Sequence, residues 1–293
     1  MSSSPVIPDP LAGLRCQLGE GPSWDAAGEV LTWVDILAGE LHSWSHGAAA
    51  PERIAIGGEL GAALPRSARG FVLAVDRQLR VREPDGAERV LAEVEPEYAD
   101  NRFNDCRVDP QGRLWAGTMS KPRRPGEGSL YRLEAGGEVE RVLAGTTISN
   151  GIGWSGSGER MYFVDSTTQR IDVFDFDGAD GSLHERRRFA AVDPAAGLPD
   201  GLTVDAEDGI WVALFGGSAV HRYDPDGELD AVIELPVTNT TCPAFGGTDL
   251  ETLFVTTTRH RLSAEQLAAQ PLAGALFACR PGVRGRPGVR CEI

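Results

Sequence analysis

Short apolar runs alternate with tight polar turns along this chain, and one arrangement of the two recurs. At 198–217 (LPDGLTVDAEDGIWVALFGG) a carboxylate, Asp200, stands just ahead of a short apolar run. A turn rich in Asp, Glu and Gly follows at 205–209, and then a second apolar run, IWVALF. FNDCRVDPQGRLWAGTM at 103–119 and SNGIGWSGSGERMYFVD at 149–165 repeat the arrangement, and GEGPSWDAAGEVLTWVD at 19–35 is a looser copy. The leading polar residue and the aromatic of the second run are 13 apart for Glu20 and Trp33, 11 for Asn104 and Trp115, 12 for Asn150 and Tyr162, and 11 for Asp200 and Trp211. Apolar runs of this length, bounded by Gly, Pro, Asn and Asp, predict strands joined by turns.

The copies are evenly spaced. Asn104 and Asn150 are 46 residues apart, Asn150 and Asp200 are 50 apart, and Glu20 and Asn104 are 84 apart with Gly61 near the middle. The stretch 60–76 (LGAALPRSARGFVLAVD) repeats the two runs without a leading acid or amide. Periods of about 40–50 residues with four strands each predict propeller blades, and six of them fill the 293 residues. The expected fold is therefore all-β, a six-bladed β-propeller forming one domain over 1–293, with the Ser/Pro-rich residues 1–10 loose. A strand at 11–17 is expected to pair with the last blade and close the ring. Ser263 and Gln266 predict a capping box opening the one helix, which Pro271 ends. The basic tail 280–293 is expected to form a turn and a final edge strand.

Innermost propeller strands line the central channel, so the residues leading into them meet at its mouth. Glu20, Asn104, Asn150 and Asp200 would form a cluster of two carboxylates and two carboxamides. Grouped carboxylates repel each other unless a cation lies between them. Oxygen-only donors favour hard cations such as Ca²⁺, Mg²⁺ or Mn²⁺. A metal site in the central channel is thus expected. Each residue also has a purely structural reading: Asn150-Gly151 and Asp200-Gly201 as turn pairs, Asn104 as an Asx cap, Glu20-Gly21-Pro22 as a loop. Four such residues at equivalent places of a repeat favour the site.

Composition narrows the partners. The net charge of −15 (28 basic, 43 acidic residues) opposes binding to nucleic acid or anionic membranes and suits a cation. Five cysteines without CxxC spacing indicate neither a zinc cluster nor a disulfide framework. The first ten residues lack the features of a secretory signal, and no apolar run approaches a membrane span. A cytoplasmic protein is expected, a monomer or weak homo-oligomer. DFDGADGS at 175–182 opens like an EF-hand loop but has Arg186 where the twelfth-position Glu belongs, so a hairpin turn is expected. Trp24, Trp33, Trp115, Trp154 and Trp211 read as packing residues, and Cys106 as a small buried one.

LGEGPSWD, NRFNDCRVDPQGRLWAGTM, SNGIGWS, LPDGLTVD and RLSAEQLAAQPLAGALF resemble the senescence-marker-protein/gluconolactonase/regucalcin family, over about 18–277. The resemblance implies a six-bladed propeller with one divalent metal ion (Ca, Mg, Mn, Zn or Fe) in its channel. It implies hydrolysis of sugar lactones such as glucono-, xylono-, arabino- or galactonolactone to aldonic acids. Carried over by residue, it implies Glu20, Asn150 and Asp200 as metal ligands, Asp200 also as general base, and Arg102 and Asn104 as sugar-binding groups. Some relatives place a substrate-facing Glu just after the GTM motif at 117–119. This chain has Ser120 and Lys121 there, which makes Lys121 a candidate substrate contact with a different choice of hydroxyls. A phosphotriesterase or aryl-esterase on the same site, and a calcium-binding propeller without turnover, are the alternatives; Arg102 and Asn104 favour the lactonase. The stretch 121–128 is a candidate lid.

Overall fold

Sheets that are apolar on both faces must be covered on both, and a ring of stacked four-stranded sheets achieves this without a separate layer. The computed structural model, which describes residues 9–10, 13–134 and 136–293, contains six four-stranded antiparallel sheets arranged as a six-bladed β-propeller. The innermost strands of blades one to six are Gly19–Asp25, Leu60–Pro65, Asn101–Val108, Ser149–Trp154, Leu198–Val204 and Thr240–Gly246. The second strands are Val30–Asp35, Phe71–Val75, Leu114–Ser120, Arg160–Asp165, Ile210–Phe215 and Thr252–Thr257. Burial falls outward: Leu114–Ser120 is buried throughout, whereas the outermost Glu88–Glu93 and Leu183–Ala191 are mostly exposed and charged. The expected helix is Ala264–Ala269, with both reciprocal bonds of the Ser263–Gln266 capping box present. Among the described residues no helix is long and apolar enough to cross a membrane.

Two details differ from expectation. The ring is closed by Asp9–Pro10, which pairs with Ala278 and Phe277 as the outermost strand of blade six. Residues 13–17 form no strand, and 11–12 and 1–8 lie outside the described residues. The reason is radial. The chain must travel from the rim of blade six to the axis at Gly19, and 13–18 make that crossing, with Cys16 N donating to Gly274 O at 2.8 Å. The tail at 280–293 is not an edge strand either. Pro281 and Pro287 cannot donate to a ladder, and the tail instead runs from blades five and six to blades one, two and three. Arg284 O accepts from Ala206 N (2.8 Å), Gly285 N donates to Leu250 O (2.8 Å), Cys291 N to Pro65 O (2.8 Å) and Glu292 N to Gly112 O (2.9 Å). Arg290 pairs with Asp25 at 2.7 Å.

Buried aspartates organise both ends of the blades. In the turns DPQGRLW and DAEDGIW, Asp109 and Asp205 are fully buried. One oxygen of Asp205 accepts the N–H groups of Glu207 (2.9 Å) and Gly209 (2.8 Å), and the other accepts from Trp211 Nε1 (2.9 Å) and Arg222 Nε (2.8 Å). Asp109 does the same for Gln111, Arg113 and Trp115. Trp115 and Trp211 are therefore hydrogen-bonded as well as packed. At the opposite end, Asp35 accepts from Gln17 N (2.7 Å) and Leu18 N (3.0 Å), Asp165 from Thr147 N (2.9 Å) and Ile148 N (3.0 Å), and Asp76 from Glu59 N (3.0 Å). Each suspends the backbone just before an innermost strand begins.

Removing one partner of a buried charged network strands the other. Asp205→Ala is expected to lower stability by about 3 kcal/mol, read as a lower urea midpoint at unchanged slope. A loss under about 1 kcal/mol would show that Arg222 and the turn amides find other partners.

Candidate functional site

The register of every innermost strand slips at the same height. The slips fall between Glu20 and Ser23, Leu60 and Ala62, and Phe103 and Cys106 in blades one to three. In blades four to six they fall between Asn150 and Ile152, Pro199 and Leu202, and Thr240 and Cys242. Such β-bulges re-aim a side chain without ending the strand. They turn Glu20, Asn104, Asn150 and Asp200 into one cavity of about 210 Å³, which Arg102 and Lys121 also line. In blade six the bulge residue Thr241 is engaged elsewhere: its hydroxyl donates to Gly19 O at 2.6 Å.

Glycines let these strands crowd the axis. A Cβ on Gly61 would lie 2.7 Å from Phe103 O, one on Gly151 2.8 Å from Asp200 O, and one on Gly201 would collide with Cys242. Gly151 and Gly201 thus sit inside strands, at close approaches between blades, and the turn-pair reading of Asn150-Gly151 and Asp200-Gly201 does not hold.

A short hydrogen-bond chain sets the amides. Arg102 Nη1 donates to Asn104 Oδ1 (2.7 Å) and Phe103 O (2.8 Å). Asn104 Nδ2 donates to Ser149 O (2.9 Å) and to Asn150 Oδ1 (2.9 Å). Asn150 Nδ2 donates to Ser166 Oγ at 2.9 Å, which fixes its Oδ1 as an acceptor with a lone pair to spare. Asn104 is therefore a link between Arg102 and Asn150 as well as a lining group.

The carboxylates carry the site's electrostatics. Burial, and then the charge of Asp105, raise the Glu20 carboxyl well above the usual range. Burial, then Glu20 and Asp105, do the same to Asp200. Arg102 and Arg123 pull Asp200 the other way and are outweighed. Apart from Gly21 N at 3.2 Å from Glu20, no hydrogen bond reaches either carboxylate among the described residues. Two buried, mutually repelling carboxylates beside an oriented amide oxygen fit a hard divalent cation, whose charge would stabilise both in ionised form. Among the described residues no group of three or more His, Cys, Asp or Glu is placed to hold a metal, so the donor set depends on the amide of Asn150.

Lys121 lies at the rim, 3.0 Å from Glu59. Glu59, Arg123, His260, Arg261 and Ser166 also line the cavity and were not foreseen. Two of these left a trace in the sequence: Arg123 lies in the candidate lid at 121–128, and Glu59 stands two residues ahead of Gly61, the blade-two equivalent of the leading polar residues. Leu18, Leu37, Met119, Ile148, Leu198 and Phe215 supply the apolar wall. Cys106 is fully buried with its thiol pKa raised by desolvation, as a packing residue would be.

Comparison with known proteins agrees with this fold. The SMP-30/Gluconolactonase/LRE-like region matches residues 18–259. Regucalcin of Sus scrofa is 35% identical over 281 residues, 93% of this chain and 94% of that protein. The 6-deoxy-6-sulfogluconolactonase of Pseudomonas putida is 38% identical over 272 residues, 92% of each. A crystal structure of a calcium-binding protein, regucalcin, from Agrobacterium tumefaciens superposes with a TM-score of 0.92 at 35% identity, over 98% of both chains.

The close approaches make a simple test of the site's architecture. Gly201→Ala is expected to cost about 1–3 kcal/mol through overpacking against Cys242, measured by urea unfolding. Gly136→Ala is the control: an added Cβ there meets nothing within 4 Å and the φ is not positive, so a change within about 0.5 kcal/mol is expected.

Proposed function

The chain belongs to the SMP-30/gluconolactonase/LRE-like family, and on that premise we propose that it hydrolyses sugar lactones to aldonic acids with one divalent cation held by Glu20, Asn150 and Asp200. The observation that carries this reading is the meeting, in one cavity, of two buried carboxylates whose burial and neighbouring acidic charge outweigh the guanidiniums around them. The hydrogen-bonded pair Arg102–Asn104 beside them suits a polyhydroxylated substrate better than an apolar ester. The descriptions of the P. putida relative as a sulfogluconolactonase and of the A. tumefaciens structure as calcium-binding support the reaction class and the cation.

A cation in this donor set supplies Lewis-acid stabilisation of the developing oxyanion and acidifies nearby water. The rest falls to the chain. Arg102 has N–H donors beyond the Nη1 bonds to Asn104 and Phe103, and these hold ring hydroxyls so that the ester carbonyl stands over Asp200. Asn104 fixes the guanidinium and the Asn150 oxygen together. Asp200 takes the proton of the attacking water as its oxygen bonds to the carbonyl carbon. It returns that proton to the ring oxygen as the C–O bond breaks, leaving the hydroxy acid. The apolar wall covers the carbon faces of the sugar. Lys121, paired with Glu59, contacts the substrate from the rim.

Proton release from a panel of aldonolactones, with chelated protein resupplied with Ca²⁺, Mg²⁺, Mn²⁺, Zn²⁺ or Fe²⁺, tests the proposal. Hydrolysis well above the spontaneous rate, lost on chelation, is the expected result; no acceleration with any cation overturns it. Asp200→Asn should lower turnover by at least about 100-fold, and near wild-type turnover would remove Asp200 as base. Glu20→Gln should weaken cation binding about tenfold or more by calorimetry, and unchanged affinity would remove Glu20 as ligand.

A further inference from the structure

The cavity mouth carries a charge arrangement that a neutral lactone leaves unused. Arg123 leaves the second strand of blade three and Arg261 that of blade six, blades on opposite sides of a six-membered ring. Both line the cavity that holds Glu20 and Asp200. Among the described residues neither stands within ion-pair distance of a carboxylate, and the Nε of Arg123 is buried with no hydrogen-bond partner. The two guanidiniums are close enough to act on each other: Arg123 is made less basic first by burial and then by Arg261.

Neighbouring groups relieve this only in part: Asp200 favours the charge of Arg123, but less than burial and Arg261 oppose it. Lys121, on the same rim, is neutralised by Glu59 at 3.0 Å. His260 stays neutral because burial and then Arg261, Arg102 and Arg123 all oppose its protonation. Its Nε2 accepts from Arg261 Nε at 3.3 Å and so steadies that side chain rather than balancing its charge. Both arginines also hold left-handed backbone conformations, with φ of 59° for Arg123 and 65° for Arg261. Side chains with a Cβ adopt these sparsely, and they persist where surrounding structure imposes them. In a protein of net charge −15, two cations from opposite blades thus line one cavity mouth, and among the described residues neither has a carboxylate within ion-pair distance.

We propose that Arg123 and Arg261 clamp an anionic substituent at the end of the sugar remote from the ester, so that the preferred substrate is an acidic aldonolactone rather than a neutral one. The guanidinium fork matches the planar or tetrahedral oxyanions of a carboxylate, sulfonate or phosphate. The identification of the substrate as a lactone rests on the reading given above; the clamp itself does not.

The test compares gluconolactone with three relatives altered at the terminal carbon: the monolactone of glucaric acid, the terminal phosphate ester and the terminal sulfonate. At least one acidic lactone should exceed gluconolactone in kcat/KM by about tenfold or more, through KM, with the advantage shrinking as salt is raised. Replacing both residues (Arg123→Gln with Arg261→Gln) should lower the acidic-to-neutral ratio about tenfold, and the paired Lys variant should recover part of it. A binding arm needs no turnover. By calorimetry, wild-type protein should bind glucarate or terminally phosphorylated gluconate about tenfold more tightly than gluconate, and the Gln pair should bind all three alike. Dianion binding of this kind without hydrolysis of any lactone would support the clamp while overturning the lactonase reading. Equal kcat/KM for neutral and acidic lactones, or a ratio unchanged in a Gln pair of wild-type thermal midpoint, would overturn the clamp.

Discussion

A carboxylate at the end of a second strand, holding two backbone N–H groups of the segment about to enter the channel, is the contact on which the site depends. Ladder hydrogen bonds end where a chain turns from one blade into the next, and the amides there would otherwise be buried without partners. Asp35 and Asp165 each take two consecutive N–H groups, and Asp76 takes one. The segments they hold, Gln17–Leu18, Thr147–Ile148 and Glu59, stand two to three residues before Glu20, Asn150 and Gly61. The bulge that follows then decides which way the next side chain points. For Glu20 and Asn150, position comes from the aspartate and direction from the bulge.

This frame gathers groups that would not choose to be together. Burial raises the carboxyls of Glu20, Asp105 and Asp200, the charge of Asp105 adds to Glu20 and both add to Asp200, while Arg102 is held near them and bonded to an amide rather than to a carboxylate. Elsewhere the molecule treats buried charge differently. Asp109 and Asp205 are wholly enclosed but saturated by amides, an indole and a guanidinium each. The contrast separates carboxylates that build the fold from carboxylates left open to a ligand. It also explains why a compact cavity can hold strong fields within an otherwise conventional β-structure.

Much of the fold was legible because propeller blades repeat. The separations between Asn104, Asn150 and Asp200 gave the period, and the leading polar residues gave the height of the site on each blade. The bulges were not legible, since two residues facing one leave no mark on composition or alternation. That is why Gly151 and Gly201 read as turn glycines although they lie in strands. Ring closure was misplaced by a few residues because the Ser/Pro-rich residues 1–10 read as loose, yet an outermost strand is the place that tolerates proline. The pairing of Arg123, in the candidate lid at 121–128, with Arg261 was missed for a different reason. They stand on loops 138 positions apart in the sequence, and only the closed ring brings blades three and six face to face across the mouth.

The tail that crosses beneath the ring has a consequence for how the molecule comes apart. Stacked repeats whose units touch only their neighbours can unzip from a terminal unit inward. Here the first and last blades are joined by Asp9–Pro10, and residues 284–292 tie blades five and six to blades one, two and three. No blade is left as a free end from which fraying could start. A chain assembled from six similar modules is thereby bound to open as one cooperative unit, its modularity retained in the sequence and suppressed in the energetics.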